Sequence, residues 1–429
     1  MSKNKRFTLI IGKAGCGKTE ALAKMIIEKM NEKLFHSCSK SPLELCVLAP
    51  THSAVNNIKN RVMRLSHSFK ASDEIFQTIH SFFRINYETN LVLGPVHDVD
   101  YIFIDEFFML SKTLFSQIIH KTNAKFILCG DPLQLGPPIN MDDVITFNNL
   151  KEFETDDDSG RSLLNVSTDY ISKLCSMPYD IIKNDIDKCI VLKHNYRSND
   201  LVMDALESIR VCSAEDNLIY MDTYDDIIRY LVNNPKCVLL GSKYSILQRV
   251  YDQWADYDSR FKFHLRSNCK SGAYFKQLHL YEGMPLIITE TTNDYYNGQR
   301  VIFKSLDINN GNVLITVQDK DKDIIMRLDK GEMKNKFFPL APYQFMTIHK
   351  AQGMGFDEVI IICDELFQLG MLYTAITRAR HKVMFYISEK SPSGVEQSKS
   401  SFPKMKTLNE LFDKNDDLFR LSLKFGLEY

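Results

Sequence analysis

No stretch of these 429 residues approaches the roughly 18 consecutive apolar residues that a membrane-crossing helix needs. The apolar run near the start, FTLII, is also too short for a secretory signal. The ten cysteines include no C-x-x-C pair and none that stands with a histidine at zinc spacing. A disulfide framework and a structural zinc are therefore not expected, and a reducing compartment is. That compartment is the cytoplasm or the nucleus, the host's if the source is viral. Charge of one sign is missing as well: the formal net charge is −1, so any contact with nucleic acid has to be local. There is no internal repeat. What remains is an ordinary soluble composition, 44% apolar and 25% charged, in a chain long enough for two or three domains.

The strongest positive signal is GKAGCGKT at residues 12–19. It stands behind FTLII and before the helix-forming EALAKMIIEKM, which is the setting of a phosphate-cradling loop. Gly12, Gly15 and Gly17 allow the tight turn that aims successive N–H groups inward. Lys13, Ala14, Cys16 and Glu20 complete the nucleotide-binding stretch, and the following helix adds its N-terminal partial charge. Lys18 is expected on the β- and γ-phosphates, and the Thr19 hydroxyl on Mg²⁺. The loop predicts ATP, with Mg²⁺, as the ligand.

Elsewhere the first 150 residues alternate short apolar runs (LCVLA, YIFI, KFILC) with helical stretches. That pattern predicts a parallel sheet with covering helices and ligands at the strand ends. The acidic stretch 151–165 reads as an exposed loop or boundary. A second set follows, with CIVLK at 189–193, helices at 199–210 and 245–254, and CVLLG at 237–241. Between about 275 and 340 the turns YNG, NNGN and DKDKD separate short strand-like runs, the texture of a small antiparallel barrel. The α/β texture then resumes with DEVIII, a helix near 366–377 and HKVMFYI. A Ser/Lys/Pro-rich segment at 388–404 precedes a final amphipathic helix. The expected fold class is α/β, with two RecA-like parallel-sheet motor domains and a small β-barrel inserted in the second. The expected boundaries are 1–155 for the first domain, 156–275 with 341–429 for the second, and 276–340 for the barrel.

The chemistry of hydrolysis needs more than a cradle. YIFIDEFFML ends an apolar strand in Asp105, expected on Mg²⁺, and Glu106, expected to orient and deprotonate the attacking water. Gln134, in the loop after KFILC, is placed to touch the γ-phosphate or that water. Charge developing on the γ-phosphate calls for guanidinium, and Arg197 in NYRS and Arg378 in TRAR are the candidates.

These blocks, together with APTHSAVNNI (49–58), TIHSFFRI (78–85), GDPLQLGPP (130–138) and TIHKAQGMGFDEVII (347–361), follow one another as in superfamily 1 helicases. More specifically, the chain resembles the Dda/RecD/Pif-type group, which moves 5′→3′ on single-stranded DNA, and a viral or mobile-element source is expected. GMPLIITETTNDYYNGQRVIF at 283–303 is similar to the barrel insertion of that group. The resemblance implies an ATP-dependent helicase or translocase, in service of DNA replication, repair or recombination and working as a monomer. Its partners would be single-stranded or tailed duplex DNA, and replication or repair proteins.

In this family the APTH-like and TIHS-like blocks line the strand channel. The resemblance therefore implies Thr51, His52, Thr78 and His80 as strand contacts, with Thr347 and His349 doing the same from the second motor domain. Phe82 and Phe83 offer a face on which a base could stack. Relatives carry an adenine-reading glutamine upstream of the loop. None stands before Gly12, so either use of several nucleoside triphosphates or a missing N-terminal segment is expected. The strand-splitting hairpin is reduced to about residues 81–100, with INYETNLVLG as a minimal version. Two rivals follow: a replicase-type RNA helicase, and a strand-stimulated NTPase that grips or remodels without unwinding.

Overall fold

The computed structural model describes residues 5–35, 44–66, 73–86, 89–95, 98–137, 178–211, 218–267, 275–292, 294–309, 312–319, 322–329, 338–364, 366 and 370–388. The acidic stretch 151–165, the Ser/Lys/Pro segment past 388 and the final helix lie outside these residues. The chain divides into two compact units. One is residues 1–196 with 368–370 and 417–429; the other is residues 197–367 with 371–416.

The first unit is built on six parallel strands: β1 (Phe7–Gly12), β2 (Leu45–Ala49), β3 (Phe76–Thr78), β4 (Tyr101–Ile104), β5 (Lys125–Gly130) and β6 (Ile186–Leu192). Their order is β3-β2-β4-β5-β1-β6. The central strands are apolar on both faces because both faces are covered. Ile10, Val47, Phe103 and Cys129 pack beneath α1 (Lys18–Phe35) and α2 (His52–Leu65), whereas Leu9, Leu48, Ile104 and Leu128 face the other core. The two apolar layers alternate residue by residue, as a strand's period of two requires. Strand β6 departs from the sequence expectation. CIVLK was read as the opening of the second α/β set, but it pairs in parallel with β1, Ile10 opposite Ile190. An apolar run shows that a strand will form, not which sheet will take it.

After β3 the chain makes one helical turn, α3 (Ile79–Phe82), and then a short hairpin. Ile85 bridges Val92, and Asn86 N–H donates to Leu91 O at 3.0 Å. Gln117, on the helix α4 (Lys112–Ile119), braces it by accepting from Val92 N–H at 3.0 Å.

The second unit carries a five-stranded parallel sheet of β7 (Ile219–Met221), β8 (Cys237–Gly241), β16 (Phe345–Thr347), β17 (Phe356–Ile362) and β18 (Ala379–Tyr386). Its order is β16-β8-β17-β18-β7. Between β8 and β16 the chain leaves this sheet. It first forms the antiparallel pair β9 (Phe263–Arg266) and β10 (Gln277–Leu280). It then forms an antiparallel sheet of β11 (Pro285–Ile288), β12 (Arg300–Asn309), β13 (Asn312–Asp319), β14 (Lys322–Asp329) and β15 (Leu340–Pro342). Alternation is clear on β12, where Val301 and Phe303 are buried and Ile302 is exposed, the pattern of a sheet with one wet face. The fold class expected from sequence is the one present: α/β with parallel sheets and a small antiparallel β insertion. Among the described residues, no helix is long and apolar enough to cross a membrane.

Candidate nucleotide site and strand-facing turns

The phosphate loop joins β1 to α1. Gly15 and Gly17 have φ of 83° and 77°, backbone that L side chains rarely adopt. A side chain at Gly12 would meet Leu192 O at 2.6 Å, so the strand can approach β6 closely only as glycine. Lys18 Nζ donates to Lys13 O across the loop at 2.7 Å and stands 3.9 Å from Asp131 Oδ2. The ammonium thus lies over the loop that would hold phosphates. Thr19 Oγ1 donates to Asp105 Oδ2 at 3.0 Å. The ends of β4 and α1 are joined by the two hard oxygen donors that the sequence assigns to Mg²⁺.

Asp105 is buried, and its carboxyl is pushed up to about 6. Burial is the largest cause and the Glu106 charge adds to it; the Thr19 hydroxyl, the Glu106 N–H and Lys18 oppose it. A hard divalent cation is the partner that would relieve such a group. Thr19 and Asp105 fit Mg²⁺ on that ground: two oxygens at bonding separation, with nucleotide phosphates supplying other ligands. Glu106 follows in a left-handed conformation, φ 53° and ψ 42°. A glutamate pays roughly 1 kcal/mol or more for that geometry, which is a common signature of functional turns. Its backbone N–H donates to Asp105 Oδ1 at 3.0 Å.

Gln134 is buried in the loop after β5. Its Nε2 donates to Asp131 Oδ2 at 3.1 Å, while its Oε1 has no hydrogen-bond partner. An unpaired buried acceptor costs roughly 1–3 kcal/mol, so this amide is held ready for a donor such as a water. The expected Glu20 is otherwise engaged: Arg61 Nη1 and Arg64 Nη2 of α2 reach its Oε2 at 2.9 and 3.4 Å. Two residues here were passed over in the sequence. Asp131 holds both Lys18 and Gln134; its signal was an acid directly after an apolar strand. Tyr196 is 75% exposed, donates its N–H to Gly15 O at 2.9 Å, and sets its ring beside Gly17.

The candidate strand contacts share one local design. Thr51, two residues beyond β2, and Thr78 and Thr347, each the last residue of its strand, all cap the helix that follows. Their hydroxyls accept from Ala54, Ser81 and Lys350 N–H at 3.2, 3.2 and 3.3 Å. Each cap is worth about 1 kcal/mol, so these threonines have a structural duty of their own. His80 is half-buried and His52 is exposed, and burial lowers both imidazoles. His349 is half-buried in the capped turn of the second unit. Phe83 is fully buried and packs edge-on to Phe82 at 4.9 Å. The stacking role expected for Phe83 is therefore excluded, and Phe82, half-buried, keeps a partly open face. Lys350, not singled out in the sequence, lies half-buried beside Thr347, and burial pushes its ammonium down to about 8.

In the second unit Arg378 is 1% exposed. Its Nε donates to Thr374 O at 2.9 Å, Nη1 to Met354 O at 3.1 Å and Nη2 to Thr377 Oγ1 at 3.1 Å. It braces its own unit. Arg197 is half-buried near Gly355: a Cβ there would lie 3.9 Å from Arg197 Cδ and 3.5 Å from Arg380 Nε.

Residues 1–139 match the AAA domain family, and residues 344–386 match the UvrD-like helicase C-terminal domain. The ATP-dependent DNA helicase Pif1 of Campylobacter jejuni is 23% identical over 352 residues, spanning 70% of this chain and 76% of that protein. The chain is similar to ATP-dependent DNA helicases of the Pif1 type. The fold agrees with Pif1 from Bacteroides in complex with ADP-AlF3 and single-stranded DNA: TM-score 0.56 and 17% identity, over 99% of this chain and 95% of that one. Pif1 solved at forked duplex DNA, as two coordinating helicases, gives 0.58 at 16% identity, over 99% and 94%. Pif1 of Candida albicans gives 0.52 at 15% identity, over 94% and 95%.

Proposed function

We propose that the chain is an ATP-driven 5′→3′ motor on single-stranded DNA that separates duplex ahead of it. The observation that carries the reading is the 3.0 Å contact between Thr19 and Asp105, with Lys18, Asp131 and Gln134 arranged around the same loop.

Bound Mg²⁺, held by Thr19 and Asp105, would neutralise phosphate charge. The chain's own residues do the rest. Lys18 exchanges Lys13 O for a phosphate oxygen, a charge-assisted bond stronger than the one it leaves. Glu106 accepts the proton of the attacking water. Gln134 uses its unpaired Oε1 to hold that water, and Asp131 keeps Gln134 and Lys18 in place. Arg197 and Arg378 are the guanidiniums available to developing γ-phosphate charge, Arg378 only by exchanging bonds inside its own unit. The exposed ring of Tyr196 offers a face to a purine without reading its edge, in keeping with broad nucleotide use.

Strand binding rests on the capped turns. Each threonine oxygen accepts from the backbone and keeps its proton for a phosphate oxygen, a positioning contact with no sequence information. Lys350 adds a cation in the second unit. Duplex separation rests on the hairpin, whose Leu91 and Leu93 are 51% and 65% exposed. Exposed apolar side chains along the closing strand of a braced hairpin are a wedge for unstacking base pairs.

The test is strand displacement with ATP on DNA and RNA duplexes carrying a 5′ or a 3′ single-stranded tail. Displacement confined to 5′-tailed DNA is the expected result. A preference for tailed RNA, or hydrolysis stimulated by strands without displacement of any, would overturn the reading.

A further inference from the structure

The second unit contains a cleft of about 460 Å³ between its parallel sheet and the antiparallel insertion. It opens where β8, β17 and β18 begin, the opposite end of the sheet from Thr347, which closes β16 beside Gly241 at the end of β8. The strand-facing turn therefore makes no use of it. Lys236, Arg300 and Arg380 line the cleft with a single carboxylate, Asp357. Three cations gathered against one anion repel one another, and a dianion entering the cleft removes that cost.

Two details show a prepared site rather than a chance cluster. The Arg300 guanidinium stacks 4.3 Å from the centroid of Tyr343, which fixes the plane of its donors. Arg380 meets Asp357 only at 3.4 Å, with both side chains over a third exposed. That pair contributes little and is easily exchanged for a stronger acceptor. The floor is apolar: Ile302, 40% exposed, lines the cleft together with Pro235 and Pro285. Inorganic phosphate has no use for such a floor, whereas a nucleoside does. The volume falls within the range of small-molecule sites, about 300–1,000 Å³.

We propose that this cleft is a second ligand site, separate from the phosphate loop, that takes a free nucleoside mono- or diphosphate. Its phosphate would lie among Lys236, Arg300 and Arg380 and its base against the apolar floor. Through Gly355, which borders both Arg380 and Arg197, occupancy would reach a residue assigned to catalysis and let product level bias turnover.

Equilibrium dialysis of the full chain with labelled ADP tests this. Two ADP per chain are expected in the wild type, one in the Lys236→Glu/Arg300→Glu variant, and one in Lys18→Ala. Arg300→Gln, a milder change, should weaken only the second event, by at least about tenfold; melting curves of each variant identify any that misfold. A single ADP per wild-type chain contradicts the proposal. So does displacement of the second ADP by a short oligothymidylate, which would assign the cleft to the strand. Equal affinity for inorganic phosphate would remove the nucleoside from the ligand and contradict it as well.

Discussion

Thr78-Ile79-His80 in the first unit and Thr347-Ile348-His349 in the second are the same tripeptide in the same place. Each ends an edge strand of a parallel sheet, each threonine is extended (φ −74° and −70°, ψ 150° in both), and each caps a single helical turn. Yet the two units treat buried charge differently. Around the loop of the first, Lys18, Asp105 and Asp131 face one another or the Thr19 hydroxyl, and the partners are exchangeable. In the second, Arg378 is directed to two backbone carbonyls and a threonine hydroxyl of its own unit. Charge set against charge or an unpaired amide invites a ligand to rearrange it, whereas charge set against backbone carbonyls stiffens the fold. This difference supports the proposal that the first unit handles the nucleotide.

The comparison breaks most sharply at the loop. Lys18→Ala should lower hydrolysis by roughly three orders of magnitude or more, with an unchanged melting temperature. Asp105→Asn should also abolish turnover but raise stability by on the order of 1–3 kcal/mol at neutral pH, read by denaturant unfolding. The sign follows from the raised carboxyl. Its folded value, about 6, exceeds the ordinary aspartate value of 3.8, so the ionised group costs stability at neutral pH, and the cost is relieved as pH falls through about 6. Acidification through that window should therefore slow Mg²⁺-dependent hydrolysis in the wild type while this group's contribution to stability improves. Parallel losses of both would contradict the assignment.

Arg378→Ala sharpens the contrast from the other side. It should destabilise the fold by roughly 2–4 kcal/mol, because buried carbonyls lose their donors, and lower kcat more than nucleotide affinity. An unaltered unfolding midpoint would refute the bracing role. At the hairpin, Leu91→Ser with Leu93→Ser should abolish displacement and leave strand-stimulated hydrolysis within about twofold. The smallest effect separates the twin turns. Lys350→Met should weaken strand binding and reduce its salt slope by about 1, whereas Ser81→Ala, at the matching position of the first unit, should leave the slope unchanged.

Much of this was legible because apolar runs and phosphate-loop glycines are local signals. β2 and β4 fall where LCVLA and YIFI predicted, and Lys18, Thr19, Asp105 and Gln134 converge as their strand-end positions implied. What was illegible depends on partners distant in sequence. CIVLK joined β1 because Gly12 leaves room for Leu192, which no periodicity reveals. Phe83 and Phe82 are the same residue type one step apart, and only packing decides that one is core. The burial of Arg378 reflects three acceptors supplied by its own turn and by Met354, invisible in the string TRAR. Lys350 was overlooked because a lysine in a near-neutral chain carries no signal until its burial is known.

A motor of this kind requires strand binding to be coupled to the phosphate loop. Steady-state ATP hydrolysis of the full chain, with and without oligothymidylate, measures that coupling. Stimulation by at least about tenfold, absent in Lys18→Ala, is predicted. Hydrolysis at the same rate with and without the strand would contradict it.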